Sequence, residues 1–298
     1  MISGGNKAGR MDQVQELQSE FTPDRAVSGS GVQAGTFLLE LSLDWIVLRA
    51  SENIHHLLHE SHVTLIEEPL GRFVHAQALH DLRNLFSRLS ATTGIARAYG
   101  IRLTDDPDLV DVAFQLSDGR VLFEAVPSAG SFGECFGSVG GLVSGLGAAR
   151  GQALLDNAAR RMRALTGYDR VTLVCGDNRS ESSRGAFETA AHPDDDLPAI
   201  VADANAEAIP IFPRQVEESS ADDALLRACG SEARRTLGQD AIRAVLRVPF
   251  VVDGISGEFR CDSRTPREPC FELHAAAELF AQLFAMRLEI DRLRASAR

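Results

Sequence analysis

Residues 112–126, VAFQLSDGRVLFEAV, and residues 244–259, AVLRVPFVVDGISGEF, carry the same device: two runs of strand-forming residues joined by Asp-Gly, at Asp118-Gly119 and at Asp253-Gly254. Glycine takes positive φ without steric cost and aspartate tolerates it, so this dipeptide between β-like runs marks a two-residue hairpin. One hairpin falls in each half of a 298-residue chain. At about 150 residues per domain, that length suggests two units, each with an antiparallel sheet.

Outward from the first hairpin, residues 36–51, TFLLELSLDWIVLRAS, give apolar runs Phe37 to Leu41 and Trp45 to Leu48 around Ser42-Leu43-Asp44, a second hairpin that opens the domain. In residues 80–90, HDLRNLFSRLS, Leu82, Leu85, Phe86 and Leu89 occupy the i, i+3, i+4 and i+7 positions of one helical face. Around the later hairpin, residues 151–167 stack Leu154, Ala158, Met162 and Leu165 on one face and end at Gly167, a helix terminator. The strand YDRVTLV (168–174) follows, and a helix from about Phe271 to Arg294 ends the pattern. Residues 128–151 hold eight glycines and read as a connector or a loosely ordered helix start. The expected division is therefore an arm, 1–31; a first domain, 32–127; a glycine-rich linker, 128–151; and a second domain, 152–298. The fold class is α+β, each domain a central antiparallel sheet flanked by helices.

The last helix has more apolar positions than one buried stripe needs. Leu273, Ala277, Phe280 and Phe284 form one line, while Leu279, Leu283, Met286, Ile290 and Leu293 step by 4, 3, 4 and 3 as a heptad seam does. One line suits the domain's own sheet and the other a partner helix, which predicts a homodimer.

Composition excludes several functions. With 30 Lys+Arg against 42 Asp+Glu the net charge is -12, a field that repels nucleic-acid phosphates and anionic lipid. No apolar run is long enough to span a bilayer, since even AAAELFAQLFAM (275–286) contains Glu278 and Gln282. The first residues lack the apolar core of a secretory signal. Five cysteines without a C-x-x-C pair fit reduced thiols, and together these features predict a cytoplasmic protein. There is no Gly-Lys-Ser/Thr phosphate loop and no Gly-x-Ser-x-Gly elbow, and Gly145-Leu-Gly147-Ala-Ala-Arg-Gly151 has the wrong last gap for a dinucleotide loop. No nucleophile, base and orienting group can be assembled, so the chain is not read as an enzyme. His55, His59 and His62 have the i, i+4, i+7 spacing that could turn three imidazoles toward a metal, but no acidic second shell accompanies them. Asp194-Asp195-Asp196 reads as a solvated turn. No metal is expected.

Several segments together resemble the PAS-GAF photosensory core of bacterial phytochromes, over roughly 32–294. Residues 35–58, GTFLLELSLDWIVLRASENIHHLL, and 117–127, SDGRVLFEAVP, are similar to the opening and closing parts of the family's PAS domain. LTGYDRVTLV (165–174), VPFVVDG (248–254) and AAELFAQLFAMRLE (276–289) are similar to segments of its GAF domain. The resemblance implies PAS followed by GAF, and a pocket for a bilin whose propionates need cations and whose pyrrole nitrogens need an acceptor. PDDDLP (193–198) resembles the family's Pro-x-x-Asp-Ile-Pro motif, which puts Asp196 at the pyrrole-facing aspartate. Residues 225–254 align without gaps and put Arg227 at a propionate-binding arginine.

Other positions depart from the family. Its two pocket histidines fall on Ala233 and Ser263, and the tyrosine of its first GAF strand falls on Val174. Phe21 lies near the bacterial attachment cysteine and Glu232 at the plant-type one, while Cys229, three residues before the latter, is a candidate for a displaced thioether bond, against the reading of a buried, inert thiol. Loss of both imidazoles leaves bilin carbonyls without donors, about 1–3 kcal/mol for each buried unmet group. The expectation is a phytochrome-like sensory module without covalent bilin and without cofactor, signalling through its C-terminal helix to a downstream partner or fused output domain. Two alternatives stay open: a photoreceptor holding biliverdin non-covalently through Asp196 and Arg227, and a small-ligand or thiol redox sensor using Cys175 or Cys229.

Overall fold

Both Asp-Gly hairpins form as tight two-residue turns. In a computed structural model, which describes residues 31–89, 94–130, 133–187, 196–214 and 220–296, strands β5 (Val110–Ser117) and β6 (Arg120–Pro127) meet at Ser117 opposite Arg120. Strands β11 (Ala244–Val252) and β12 (Ile255–Ser263) meet at Val252 opposite Ile255. Asp118 and Gly119 have φ of 47° and 73°, and Asp253 and Gly254 of 50° and 73°, the positive pairs that a type I′ turn requires.

The first sheet has seven strands in the order β1-β10-β3-β2-β6-β5-β4. Its remaining members are β1 (Gly31–Val32), β2 (Phe37–Leu41), β3 (Val47–Ser51), β4 (Ala96–Ile101) and β10 (Ile209–Phe212). The sheet therefore borrows β10 from the second half of the sequence. Helix α1 is His55–Leu58, α2 is His62–Leu65 and α3 is Ala76–Ser87. Leu82 of α3 lies in one apolar cluster with Leu39, Leu41, Val112, Phe114 and Phe123 of the sheet. The strand expected at Trp45 begins at Val47, because Trp45 turns with φ 65° and buries its ring edge-on to Phe86, 5.9 Å away.

The three histidines do not share a helical face. His59 has φ 60° and ends α1, so α2 starts anew; His62 stacks on Phe212 at 4.6 Å while His59 reaches Asp106 at 3.4 Å. Among the described residues no group of three metal-ligating side chains converges.

The expected glycine-rich connector contains a helix, α4 (Glu134–Ser144). Val139 is buried in the core, with Cys135, Phe136, Leu142 and Val143 packed against it. Glu272 accepts hydrogen bonds from the Gly133 and Cys135 amides, 3.0 Å each, and so satisfies the first turn. Tertiary burial here outweighs the low helix propensity of glycine.

The second sheet runs β8-β7-β12-β11-β9, with β7 Arg170–Cys175, β8 Asn178–Ser183 and β9 Ile200–Val201. Helices α5 (Gly151–Thr166) and α7 (Phe271–Ser296) cover one face of it, and α6 (Ser231–Gln239) lies toward the other. Phe259 packs at 5.4 Å from Phe250 and from Phe284, and at 6.0 Å from Phe280. Phe250 lies opposite Gly257, where a Cβ would run into the ring and come within 3.0 Å of the Val174 carbonyl oxygen. Gly257→Ala is expected to cost about 1–3 kcal/mol by overpacking, read as a lower urea midpoint with an unchanged slope.

Helix α7 divides its apolar residues as the two sequence lines suggest. Ala277, Phe280 and Phe284 are fully buried and Leu273 packs against the same core. Leu279, Met286, Ile290 and Leu293 are exposed by 39%, 61%, 43% and 62%, whereas Leu283 is half-buried on its own domain.

The two sheets share one core. Ala113 and Val126 of the first sheet belong to the cluster built on Phe259, Phe280 and Phe284. Residues Gly31 to Gln33 lie between two limbs of the loop that joins β9 to β11. On one side Gly31 and Val32 pair with Pro210 and Ile209; on the other the Ala228 amide donates to the Gly31 carbonyl at 2.7 Å and the Gln33 amide to the Leu226 carbonyl at 3.0 Å. The Gln33 side chain adds donors to Ile200 O (2.6 Å) and Arg227 O (3.1 Å) and accepts from the Ala202 amide (2.7 Å).

Candidate functional site

The face of the second sheet turned away from α5 and α7 is strongly charged. Strand alternation puts Val171, Leu173, Phe259 and Cys261 in the helix-covered core, so Arg170, Thr172, Glu258, Arg260 and Asp262 point the other way. These side chains form an ion-pair lattice. Arg170, fully buried, donates from Nε to Asp262 Oδ2 at 2.8 Å, with its Nη2 ion-paired 2.7 Å from the same oxygen, and Arg260 meets the same carboxylate at 2.9 Å. Arg247 grips Glu258 with two hydrogen bonds of 2.6 and 3.0 Å and reaches the Leu197 carbonyl at 2.8 Å, which ties the 196–201 segment down. The Phe187 ring lies between the guanidinium groups of Arg170 and Arg264, at 4.3 and 3.9 Å. The Thr172 hydroxyl oxygen, buried in this lattice, has no hydrogen-bond partner among the described residues.

Asp196 and Arg227 are brought together, and they meet each other. Arg227 Nη2 lies 3.0 Å from Asp196 Oδ1 and also donates to the Asp196 carbonyl oxygen, while its main chain forms a β-bridge with Val32. The contact uses one guanidinium nitrogen and faces solvent, the Asp196 side chain being 68% exposed. Beside the pair, Ala233 and Cys229 sit in an apolar cluster with Leu197, Val201, Ala204, Leu237, Ile242 and Val245. A cavity bordered by Gln33, Asp203, Ala204, Cys229 and Arg234 has a volume of about 10 Å³, room for one water.

Of the sequence-derived positions only Cys229 lines this cavity. Glu232 points into solvent, 88% exposed, and pairs loosely with Arg235 at 3.7 Å. Ser263 is fully buried on the helix-covered side with Cys261, in contact with Arg267 at 3.3 Å and Asp169 at 3.5 Å. The residue that turns toward the lattice at this end of β12 is Asp262, its neighbour. Phe21 lies outside the described residues, as do Asp194 and Asp195. The signal for the lattice was present in the sequence as charges alternating with core residues along R-V-T-L-V (170–174) and G-E-F-R-C-D (257–262), but alternation alone reads as a solvated face.

Three of the thiols are held in the protonated form. Burial pushes Cys135 up to about 11 and raises Cys261 and Cys270 as well, which suppresses thiolate. Cys175 and Cys229 are buried.

Two sheets of this topology, one borrowing a strand from the other's loop and both packed on a shared core with a long terminal helix, define the PAS-GAF class of fold. Comparison with solved structures places the chain within it: the fold is that of a bacteriophytochrome chromophore-binding domain. It superposes on the chromophore-binding domain of Stigmatella aurantiaca phytochrome P1 with a TM-score of 0.70 and 22% identity, covering 90% of this chain and 99% of that one. The chromophore-binding domain of an unusual bacteriophytochrome from R. palustris gives 0.70 and 21%, over 91% and 99% of the two chains. The photosensory core module of the Stigmatella protein gives 0.73 and 20%, over 93% of this chain and 63% of that one. No family model and no curated protein matches the chain. No helix among the described residues is long and apolar enough to cross a membrane.

Proposed function

We infer that this chain is a phytochrome-like PAS-GAF sensory module that works without a bilin. The observation that carries this reading is the Asp196–Arg227 ion pair beside a packed apolar cluster. Pockets for ligands of this size run to about 300–1,000 Å³, whereas the cavity bordered by Gln33, Cys229 and Arg234, which neither Asp196 nor Arg227 lines, is about 10 Å³. To admit a tetrapyrrole the protein would have to open Arg227 from Asp196 and displace Leu197, Cys229 and Ala233 from their contacts. The role left to the fold is to pass a change of state between its domains and out along α7, in the cytoplasm, to a second copy of the chain and then to a downstream partner or output domain.

The test is expression together with a biliverdin source, followed by an absorption spectrum of the purified protein. A colourless protein is expected. A red-absorbing band that Arg227→Ala abolishes would establish the non-covalent photoreceptor instead, and a band resisting denaturation would show a covalent bond.

A further inference from the structure

The first sheet turns a charged face toward the second domain. Arg97 on β4, Ala113 on β5 and Glu124 on β6 are direct cross-strand neighbours, and Ala113 has only a methyl group between its two charged flanks. Glu124 is 1% exposed. Its two carboxylate oxygens accept from the Leu225 and Leu226 amides at 2.9 Å each, immediately before Arg227 in the chain. From the next strand over, Ser117 and Gln115 hold the preceding turn by hydrogen bonds to Asp223. At the other end of the row, Arg97 Nη2 contacts Glu278 at 2.8 Å and donates to His274 Nδ1 at 2.7 Å, both near the start of α7.

We propose that Glu124 and Arg97 form a proton-operated latch that couples the closed Asp196–Arg227 site to the start of α7. Ionised Glu124 fixes the 225–226 backbone, and with it Arg227. A protonated carboxyl keeps one good acceptor oxygen and gains a hydrogen that needs an acceptor of its own, so one of the two amides is released. Arg97 then faces no anion across Ala113, and its charge rests on α7 alone. The latch is independent of whether α7 pairs with a second copy.

The surroundings of Glu124 suit this role. Burial raises its pKa to about 7, against the opposing pull of the two amides and of Arg97. The other charged or titratable groups nearby are Asp111, which accepts from the Gly100 amide, and Glu40, held by Arg49 and Arg120, on the sheet. Asp223 faces from the turn, and His274 and Glu278 face from α7. Burial, and then Arg97, depress His274 to about 3, so it stays neutral; burial raises Glu278 against the effect of Arg97.

The sign separates this latch from ordinary packing. Glu124 takes its proton more readily folded than unfolded, so its contribution to global stability grows as pH falls through about 7 toward 4.5 and is lost as pH rises. Local protection of the 225–226 amides moves the opposite way. Amide exchange by NMR, corrected for intrinsic rates, should show protection of Leu225 and Leu226 falling about tenfold from pH 8 to pH 6, with the first amides of α7 shifting at the same midpoint. Glu124→Gln should remove both changes, and Arg97→Gln should move the midpoint upward. The proposal is overturned if Glu124→Gln keeps the wild-type profile, or if the α7 amides do not follow those of 225–226. Should the variants fail to fold, the Glu124 carboxyl carbon in the wild type decides: absence of a titration between pH 6 and 8 refutes the latch.

Discussion

Asp262→Ala is expected to lower the unfolding free energy by about 3–5 kcal/mol, among the largest effects of any single substitution in this chain. The carboxylate is fully buried and serves two arginines, Arg170 and Arg260. Truncation leaves the Arg170 guanidinium, itself 0% exposed, without its counter-charge and without water. The cost arises from that stranded cation more than from the net value of the pair, so Arg170→Met combined with Asp262→Leu should recover most of the loss. Urea unfolding of the two single variants and the double variant closes the cycle. A cost below about 1 kcal/mol for Asp262→Ala would mean that water reaches the lattice and that this face is open.

The second large effect concerns association. Met286→Glu with Ile290→Glu is expected to weaken self-association at least about 100-fold, equivalent to about 2.7 kcal/mol, because each carboxylate would have to be desolvated against an apolar partner surface. Both side chains are exposed in the isolated chain, 61% and 43%, so the substitutions leave the core of Phe280 and Phe284 intact. Leu283 would be a poor choice, since it packs on its own domain and its loss would mix folding with assembly. Light scattering reads the result directly. A wild-type protein that is monomeric at tens of micromolar, or a variant of unchanged dimeric mass, would remove α7 as the contact surface.

What the sequence revealed was set by local physics. The Asp-Gly turns, the helix of Leu154, Ala158 and Met162, and the buried line of α7 depend on backbone conformation and on periodicity, and each is found where the residues put it, whereas Leu283 of the second α7 line packs on its own domain. Helix α4 was hidden because its stability comes from the surfaces of α5 and α7, which no window around residues 134–144 contains. The charged sides of both sheets were hidden for a related reason. Glu40, Arg49, Asp111, Glu124, Arg170 and Asp262 alternate with core residues as solvent-facing positions do, yet a second domain or a folded-back segment covers them. Alternation identifies sides of a strand, not what lies over each side. The same limit governed the ligand site: resemblance pointed to Asp196 and Arg227, but nothing along the chain showed that they would join each other, or that Asp262 rather than Ser263 would face their side of the sheet.

The strip Gly31–Gln33 has a consequence for assembly. Its long-range hydrogen-bonding partners are 167 to 197 residues further along the chain, so during synthesis this strip leaves the ribosome long before anything exists to hold it. The surrounding limbs must therefore close around an already waiting strand, and a mistake in that order would leave the β9–β11 connection shut with its occupant outside.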